Sequence, residues 1–546
     1  MITILRLAHS NLKLHRRFYF IQQQKELSVD TKEHTALGNA LTFKVKNNPY
    51  LKIGEQGTLH LRLMRFSNTG FPEPMAMELS FGEIIAMAGD FFTDATWVMD
   101  LNLPKCHGQK TKSIGKKLIN QPVRPEDHQA LLRAYNNLAS PEVSRGDIDK
   151  IYRIDQTRYL PFSDTLNDYV KQLMFYLRVK DYGEMLNRNQ THFTPWSVRV
   201  YTIGHHLALE FTRIAYELQQ LANDPNSMPK QAATRDLLDR LNKGKSLTAD
   251  ELRDLAYRYQ AMGLGLELFT LHYYSDHFAS GHMSMVSDLR VLLQERFGIL
   301  GGILANDLHN ELNRVGVYTT RAYDPTPTPS DPPNPARGDS DFDECINHFN
   351  KTACLSGMQK SLGDLERVFQ GGELPAQDQY AGLEDLPDVD KTYRQPQPLL
   401  VLDANEGIFY RNDLSKIHLL SPSDYQQLRE NPGAHGYSPL TSKWSAFNLV
   451  AKLRLFPYVY QGKLQTLSLN ESLRIQKEEQ DLNPERQPIP IPPCTTPSLQ
   501  VNADWRTPVT GASLQQALRK HGLLAAPVVN LKEKDETLET TLALGS

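Results

Sequence analysis

Cysteine is scarce in this sequence. Among 546 residues there are four, Cys106, Cys345, Cys354 and Cys494, scattered over the length. They make no disulfide scaffold and no CxxC pair, so any zinc must be held by histidine and carboxylate. Long apolar runs are missing as well. No stretch of about 18 apolar residues occurs, so no transmembrane segment is expected. The opening MITILRLAHS has only a short apolar stretch, broken by Arg6, and so lacks the h-region of a secretory signal. Neither sign of charge dominates. The 60 basic and 63 acidic residues leave a net charge of −3, and no nucleic-acid partner is expected from it.

What is present is an ordinary globular composition, 40% hydrophobic and 23% charged, with ample length for a sizeable core. Residues 1–40 are polar and basic and read as an N-terminal arm. LTFKVKNN and TLHLRLMRF, within 41–65, alternate apolar and polar residues and read as short strands. From about 78 to 316 the apolar spacing is helical. Thr194-Pro195 offers an N-cap and a first-turn proline for a long helix beginning SVRVYTIGHHLALEF, and ADELRDLAYRYQAMGLGLELFTLHYYSDHF is a second long helix. The proline-rich stretch 324–339 reads as an exposed loop, after which FDECINHFNKTACLSGMQKSLGDLERVF returns to a helical pattern. PLLVLDANEGIFY and LRLFPYVYQGKLQTLSL suggest strands. The expected fold is therefore mainly α, with N-terminal strands and a C-terminal α+β or β-containing extension. The expected divisions are 41–375 as a main domain, 376–483 as a C-terminal domain, and 484–546 as a proline-rich linker and tail.

The chemistry concentrates in His272, Asp276 and His282. Residues four apart share a helix face, so His272 and Asp276 can meet one metal ion, and Ala279-Ser280-Gly281 can bend the chain to aim His282 at the same cleft. A His and an Asp on one helix more often make a surface pair. Three neighbours weigh against that bland reading: His309 and Glu311 in the next helix, His192 at a loop-to-helix junction, and Asp90 at the end of an apolar helix.

LHYYSDHFASGH resembles the zinc-ligand signature of bacterial zinc-dependent phospholipase C. His272, Tyr273, Asp276 and His282 match the pattern, while Ser275 and Ser280 replace the usual small residue and proline. LSFGEIIAMAGDFF, NQTHFTPWSVRVYTIGHHLALE and GGILANDLHNELNRVGV are similar to segments of the divergent zinc metallophospholipases of Pseudomonas, fungi and Legionella. The likeness covers roughly 75–371 and implies a helical catalytic domain that cleaves the glycerol-side phosphodiester of a phospholipid, phosphatidylcholine above all, at a membrane surface. It implies two or three zinc ions. His192, His272 and Asp276 would hold one, and His282 and His309 another. The family's carboxylate four residues after the second histidine is here Asn313, so Asn313, Glu311 or water would complete that set. Asp90 would be the catalytic base or would position the attacking water. The N-terminal Trp of the three-zinc enzymes has no counterpart; His60, His107, His205 and His206 are candidates for a further site, with His205 either a ligand or an outer partner. Trp196, Tyr201, Tyr273 and Tyr274 would line the substrate pocket, where aromatic faces suit a choline cation.

Two other classes use the same features. A zinc-dependent single-strand nuclease shares much of the ligand spacing, and a helical interaction protein could carry a degenerate metal site. The tail LKEKDETLETTLALGS resembles the export signals of type IV secreted effectors. With the Legionella-like segments, it implies a bacterial cytoplasmic protein translocated into a host cell.

Overall fold

The computed structural model describes residues 31–44, 47–54, 57–67, 70–89, 91–92, 118–160, 164–180, 182, 189–241, 247–283, 286–321, 334–338, 342, 347–415, 417–420 and 422–456. The chain divides into two units, 1–489 and 490–546, and every described residue belongs to the first. The protein is mostly helical with small antiparallel sheets. No helix among the described residues is long and apolar enough to cross a membrane.

The N-terminal segment contributes more than an arm. Thr31–Asn39 forms α1, with Thr31, His34, Leu37 and Gly38 buried at helical spacing. Leu51–Ile53 (β1), Leu59–Phe66 (β2) and Pro72–Ser80 (β3) make an antiparallel sheet in the order β1-β2-β3. β2 matches the alternation of TLHLRLMRF, whereas Leu41–Lys44, expected to be extended, carries no strand. Phe81–Ala88 forms α2. Its start is written in Ser80-Phe-Gly-Glu83, where the Ser80 hydroxyl accepts from the Glu83 N–H and the Glu83 carboxylate accepts from the Ser80 N–H. α2 is buried along its whole length.

Pro125–Leu138 (α3), Arg145–Gln156 (α4) and Asp164–Arg178 (α5) follow. The frame of the molecule is a pair of 28-residue helices, Trp196–Asn223 (α6) and Ala249–Asp276 (α8), with Ala232–Leu241 (α7) between them. Two glycines let α6 and α8 approach closely. A Cβ at Gly204 would lie 1.8 Å from Thr270 Cγ2, and one at Gly263 would lie 2.9 Å from the Ala208 carbonyl. The α6 contact thus advances as the α8 contact recedes, so the two helices run antiparallel. α8 opens on a Thr248–Glu251 capping box and proceeds through both of its glycines.

After α8 come a one-turn helix, Ser280–Met283 (α9), then Val286–Phe297 (α10) and Ile299–Val315 (α11). Val317–Arg321 (β4) and Asn334–Ala336 (β5) pair antiparallel. β5 falls in the stretch expected to be a loop; it is an edge strand, where the missing N–H of Pro335 costs little. His348–Phe369 (α12) matches the later helical pattern. Pro387–Pro396 (β6), Leu400–Leu402 (β7), Ile408–Arg411 (β8), Leu419–Leu420 (β9), Pro422–Glu430 (α13), Tyr437–Pro439 (β10) and Lys443–Leu455 (α14) complete the described chain. LRLF, expected to begin a strand, instead closes α14. β6 joins β4 in the sheet β5-β4-β6-β9, and Leu399, Leu400 and Leu402 pack into one apolar cluster with Leu304, Leu308 and Leu312 of α11. A larger cluster surrounds α6, α8 and the β1–β3 sheet.

Candidate metal centre

α8 presents His272 and Asp276 on one face, with Nε2 and Oδ2 3.5 Å apart. The 3₁₀ turn Asn189–His192 delivers His192, whose Nδ1 lies 2.7 Å from Asp276 Oδ2 and 3.1 Å from His272 Nε2. At zinc bond lengths of about 2.0–2.2 Å, ligand atoms around a tetrahedral ion lie about 3.3–3.6 Å apart. The three atoms converge to nearly that spacing. α1 adds His34, which the sequence reading did not include; its Nε2 lies 3.3 Å from Asp276 Oδ1. The ligand atoms of His34, His272 and Asp276 all fall within 4.8 Å of one another. His282 Nδ1 stands 3.6 Å from Asp276 Oδ1. All five side chains are buried.

The hydrogen bonds fix which nitrogens carry lone pairs. His272 Nδ1 lies 2.9 Å from the Ile85 carbonyl of α2 and donates to it, so Nε2 faces the cluster without a hydrogen. His34 Nδ1 lies 2.9 Å from Ser275 Oγ, whose own hydrogen goes to the Leu271 and His272 carbonyls. His34 Nδ1 is therefore the donor, and its Nε2 faces Asp276 Oδ1. An outer acceptor holding one ring nitrogen so that the other can bind is the usual support of a metal-ligating histidine. His272 Nε2 and His34 Nε2 thus both meet the Asp276 carboxylate, an arrangement that a shared cation or proton would stabilise.

Electrostatics match that state. Burial opposes charge on Asp276, but His272, His282 and His192 outweigh it and hold the carboxyl well below its ordinary range. Burial, joined by His34 and His192, pushes His272 well below the usual imidazole range against the pull of Asp276. Neutral imidazoles and an ionised carboxylate are the forms that bind metal.

Of the expected second zinc set, the structure brings His282, His309 and Asn313 together and leaves Glu311 out. His282 and His309 stack at 4.8 Å between ring centroids, and Phe193 packs edge-on against both. Asn313 lies against His309 Nε2 at 3.1 Å, while its Oδ1 accepts from the Gly281 N–H at 2.5 Å. Turning the amide over would set its NH₂ against that N–H, so Oδ1 is committed to Gly281 and Nδ2 donates to His309. The other His309 nitrogen lies 3.0 Å from Asn310 Oδ1. Glu311 turns away altogether. Two residues past His309 on a helix, it points to another side and makes a two-pronged pair with Arg411 of β8, 2.9 Å at each prong. It joins β8 to α11 rather than holding metal.

Asp90 and His107 lie outside the described residues. Gly89, just before Asp90, is described: a Cβ there would meet His272 Nε2 at 2.1 Å and His192 Cε1 at 2.3 Å, so only glycine fits against the two rings. The expected pocket aromatics are core residues. Trp196, Tyr201, Tyr273 and Tyr274 are buried in the larger apolar cluster. The Tyr201 hydroxyl meets Ser361 Oγ, Tyr274 donates to the Gly382 carbonyl, and Tyr273 packs on the His192 ring. Aromatics on long helices that pack on two sides are internal, whatever motif they adjoin. Thr194 does not cap α6; its Oγ1 and N–H both donate to the His282 carbonyl and so fix the His282 turn to the His192 turn. His277 turns to Ser197 Oγ at 2.9 Å, and burial pushes its imidazole down to about 3. His60, on β2, lies beside Thr58.

His205 belongs to a separate group. Its Nδ1 lies 2.8 Å from Glu267 Oε2 and its Nε2 3.4 Å from Asp364 Oδ2, with Ser361 donating to Glu267 Oε1. Burial alone would lower His205, but the two carboxylates reverse this and raise it to about 9.

No protein-family model, curated protein or solved structure matches the chain.

Proposed function

We propose that the protein is a zinc-dependent phosphodiester hydrolase of the phospholipase C type, built on the His192–His272–Asp276 centre. One observation carries the reading: two imidazole nitrogens, His272 Nε2 and His34 Nε2, each on a ring held at Nδ1 by an outer partner, face the carboxylate of Asp276 inside the protein. That donor set of nitrogen and oxygen suits zinc. His192, His272 and Asp276 would hold the ion, with His34 and His282 at its edge. Zinc bound there would supply Lewis acidity toward a phosphodiester. The order of the surrounding motifs, LSFGEIIAMAGDFF to GGILANDLHNELNRVGV, agrees with the zinc metallophospholipases that the sequence resembles. The chain's own part is to hold the ligands. The Ile85 carbonyl and Ser275 hydroxyl orient two imidazoles, and Thr194 ties His282 to the turn carrying His192.

His34 supports a second reading. A closed, four-ligand zinc site is structural, whereas a catalytic one keeps a position open. If His34 ligates throughout, the centre would staple α1 to α8 in a helical interaction protein.

The deciding experiment is elemental analysis of the purified full chain, paired with a phospholipid panel assayed with and without chelator. About one or more zinc per chain and chelator-sensitive release of a phosphorylated headgroup are expected. Zinc without any phosphodiesterase activity on lipid would leave the structural reading. Release of nucleotides from denatured DNA, with lipid untouched, would replace the phospholipase assignment by a nuclease.

A further inference from the structure

A second group of ligand type lies outside the Asp276 centre. On α6, His206 and Glu210 stand four residues apart, with His206 Nε2 3.6 Å from Glu210 Oε1. From α3, His128 brings Nδ1 to 3.5 Å from Glu210 Oε2, and the two imidazoles stack at 5.3 Å. The three ligand atoms lie within 4.8 Å of one another. Unlike the Asp276 group, this one reaches solvent: His206 is 33% and Glu210 43% exposed at the side chain.

The geometry points to a second transition-metal site at His128, His206 and Glu210, one that takes Zn²⁺ or a similar borderline divalent ion and clasps α3 to α6. Three features carry it. The ligands are two imidazoles and a carboxylate, a set that suits zinc, copper or nickel and not calcium or magnesium. The i, i+4 spacing puts His206 and Glu210 on one helix face without rearrangement. An outer partner is already in place: His206 Nδ1 lies 2.8 Å from the Tyr380 hydroxyl, and in the metal-binding tautomer Nδ1–H donates to that oxygen and leaves Nε2 free. Tyr380 is itself buried and packs edge-on against His205 at 4.5 Å, so it holds His206 from a fixed position. A helix-surface His and Glu usually make only a weak exposed pair. The convergence of His128 from another helix distinguishes this group.

The site is independent of the Asp276 proposal, and the test separates them. Full-length protein is stripped with chelator and equilibrated by dialysis at micromolar free Zn²⁺, and bound zinc is counted per chain. Five proteins are compared: wild type, Asp276→Asn, Glu210→Gln, the variant carrying both of these, and His128→Ala/His206→Ala. Glu210→Gln is expected to lose one equivalent in both backgrounds, and the His128→Ala/His206→Ala pair to lose the same equivalent. Cobalt substitution gives a second readout. The visible absorption bands of Co²⁺ bound to Asp276→Asn protein should vanish on adding Glu210→Gln. Unchanged zinc count and cobalt spectrum after Glu210→Gln would overturn the site. Loss of zinc with Glu210→Gln but not with Asp276→Asn would keep this site and reject the buried one.

Discussion

Two buried polar groups are anchored on α8, yet they differ in their ratio of histidine to carboxylate. Around Asp276, one carboxylate faces His34, His192, His272 and His282. Around His205, one imidazole is held between Glu267 and Asp364. Glu267 and His272 stand five positions apart on α8, so both groups share one scaffold and one dielectric. The ratio of residue types makes the difference. An excess of carboxylate raises the histidine and keeps a proton on it, giving a charged pair with no lone pair to offer. An excess of histidine around one carboxylate, with burial holding His272 well below the usual imidazole range, is the arrangement the proposed metal would use. A His-carboxylate cluster is therefore not a metal site by composition alone; the stoichiometry decides.

Breaking the comparison on its metal side should give the largest effect. Asp276→Asn removes the one carboxylate that, among the described residues, faces the four histidines. Zinc at this centre should fall to background and headgroup release by at least about 1000-fold, since removing even an outer-shell partner of a metal ligand typically costs 10–100-fold. Circular dichroism should show the helices retained. Normal zinc content in the folded variant would end the assignment of Asp276 as a ligand.

Arg411→Ala comes next, and it acts on stability instead of metal. Glu311 and Arg411 form a buried two-pronged pair, and removing one partner strands the other charge. The expected cost is about 3–5 kcal/mol by denaturant titration, with the zinc count per folded chain unchanged. A zinc loss equal to that of Asp276→Asn would restore Glu311 to the ligand set.

The proton side of the comparison is tested by pH. His205 is raised to about 9 when folded, against about 6.5 in an unfolded chain. A raised histidine stabilises the fold fully below the unfolded value and loses that contribution as pH climbs through the folded one. Wild-type stability should therefore shed on the order of 3 kcal/mol between about pH 6.5 and 9 from this group. His205→Gln should flatten that slope and leave zinc binding intact. Equal slopes in the two proteins would show that Glu267 and Asp364 are held without a histidine proton.

Much of the central helix was legible. The i, i+4 spacing of His272 and Asp276, and the small residues before His282, predict local geometry, and local geometry follows from backbone periodicity. The capping boxes at Ser80 and Thr248 are equally local. What stayed illegible depends on long-range packing. His34 sits in a segment whose polar character reads as an arm, and only the stripe Thr31, His34, Leu37, Gly38 hints that one face is buried. Glu311 looked like a ligand because it neighbours His309 in sequence, but its partner Arg411 is one hundred positions away. The aromatics near the motifs were read as pocket walls because sequence does not reveal how many helices enclose a side chain.

Asn313 offers the smallest change and the finest test of the stoichiometry argument. Its amide donates to His309 Nε2 and accepts from the Gly281 N–H, so the pair is complete without any ion. Asn313→Asp keeps the shape and the Gly281 bond. It removes the donor and sets a carboxylate oxygen against His309 Nε2, beside the stacked ring of His282. The local arrangement then copies Asp276, with histidine in excess over one carboxylate. Without metal at pH 8 the variant should be less stable by about 1 kcal/mol, the scale of one lost hydrogen bond. Added Zn²⁺ should recover that loss, and the zinc count should rise by one equivalent above wild type. A variant that gains no zinc would show that composition at this position does not govern which ion the cluster holds. The distinction drawn between Asp276 and His205 would then rest on backbone geometry alone.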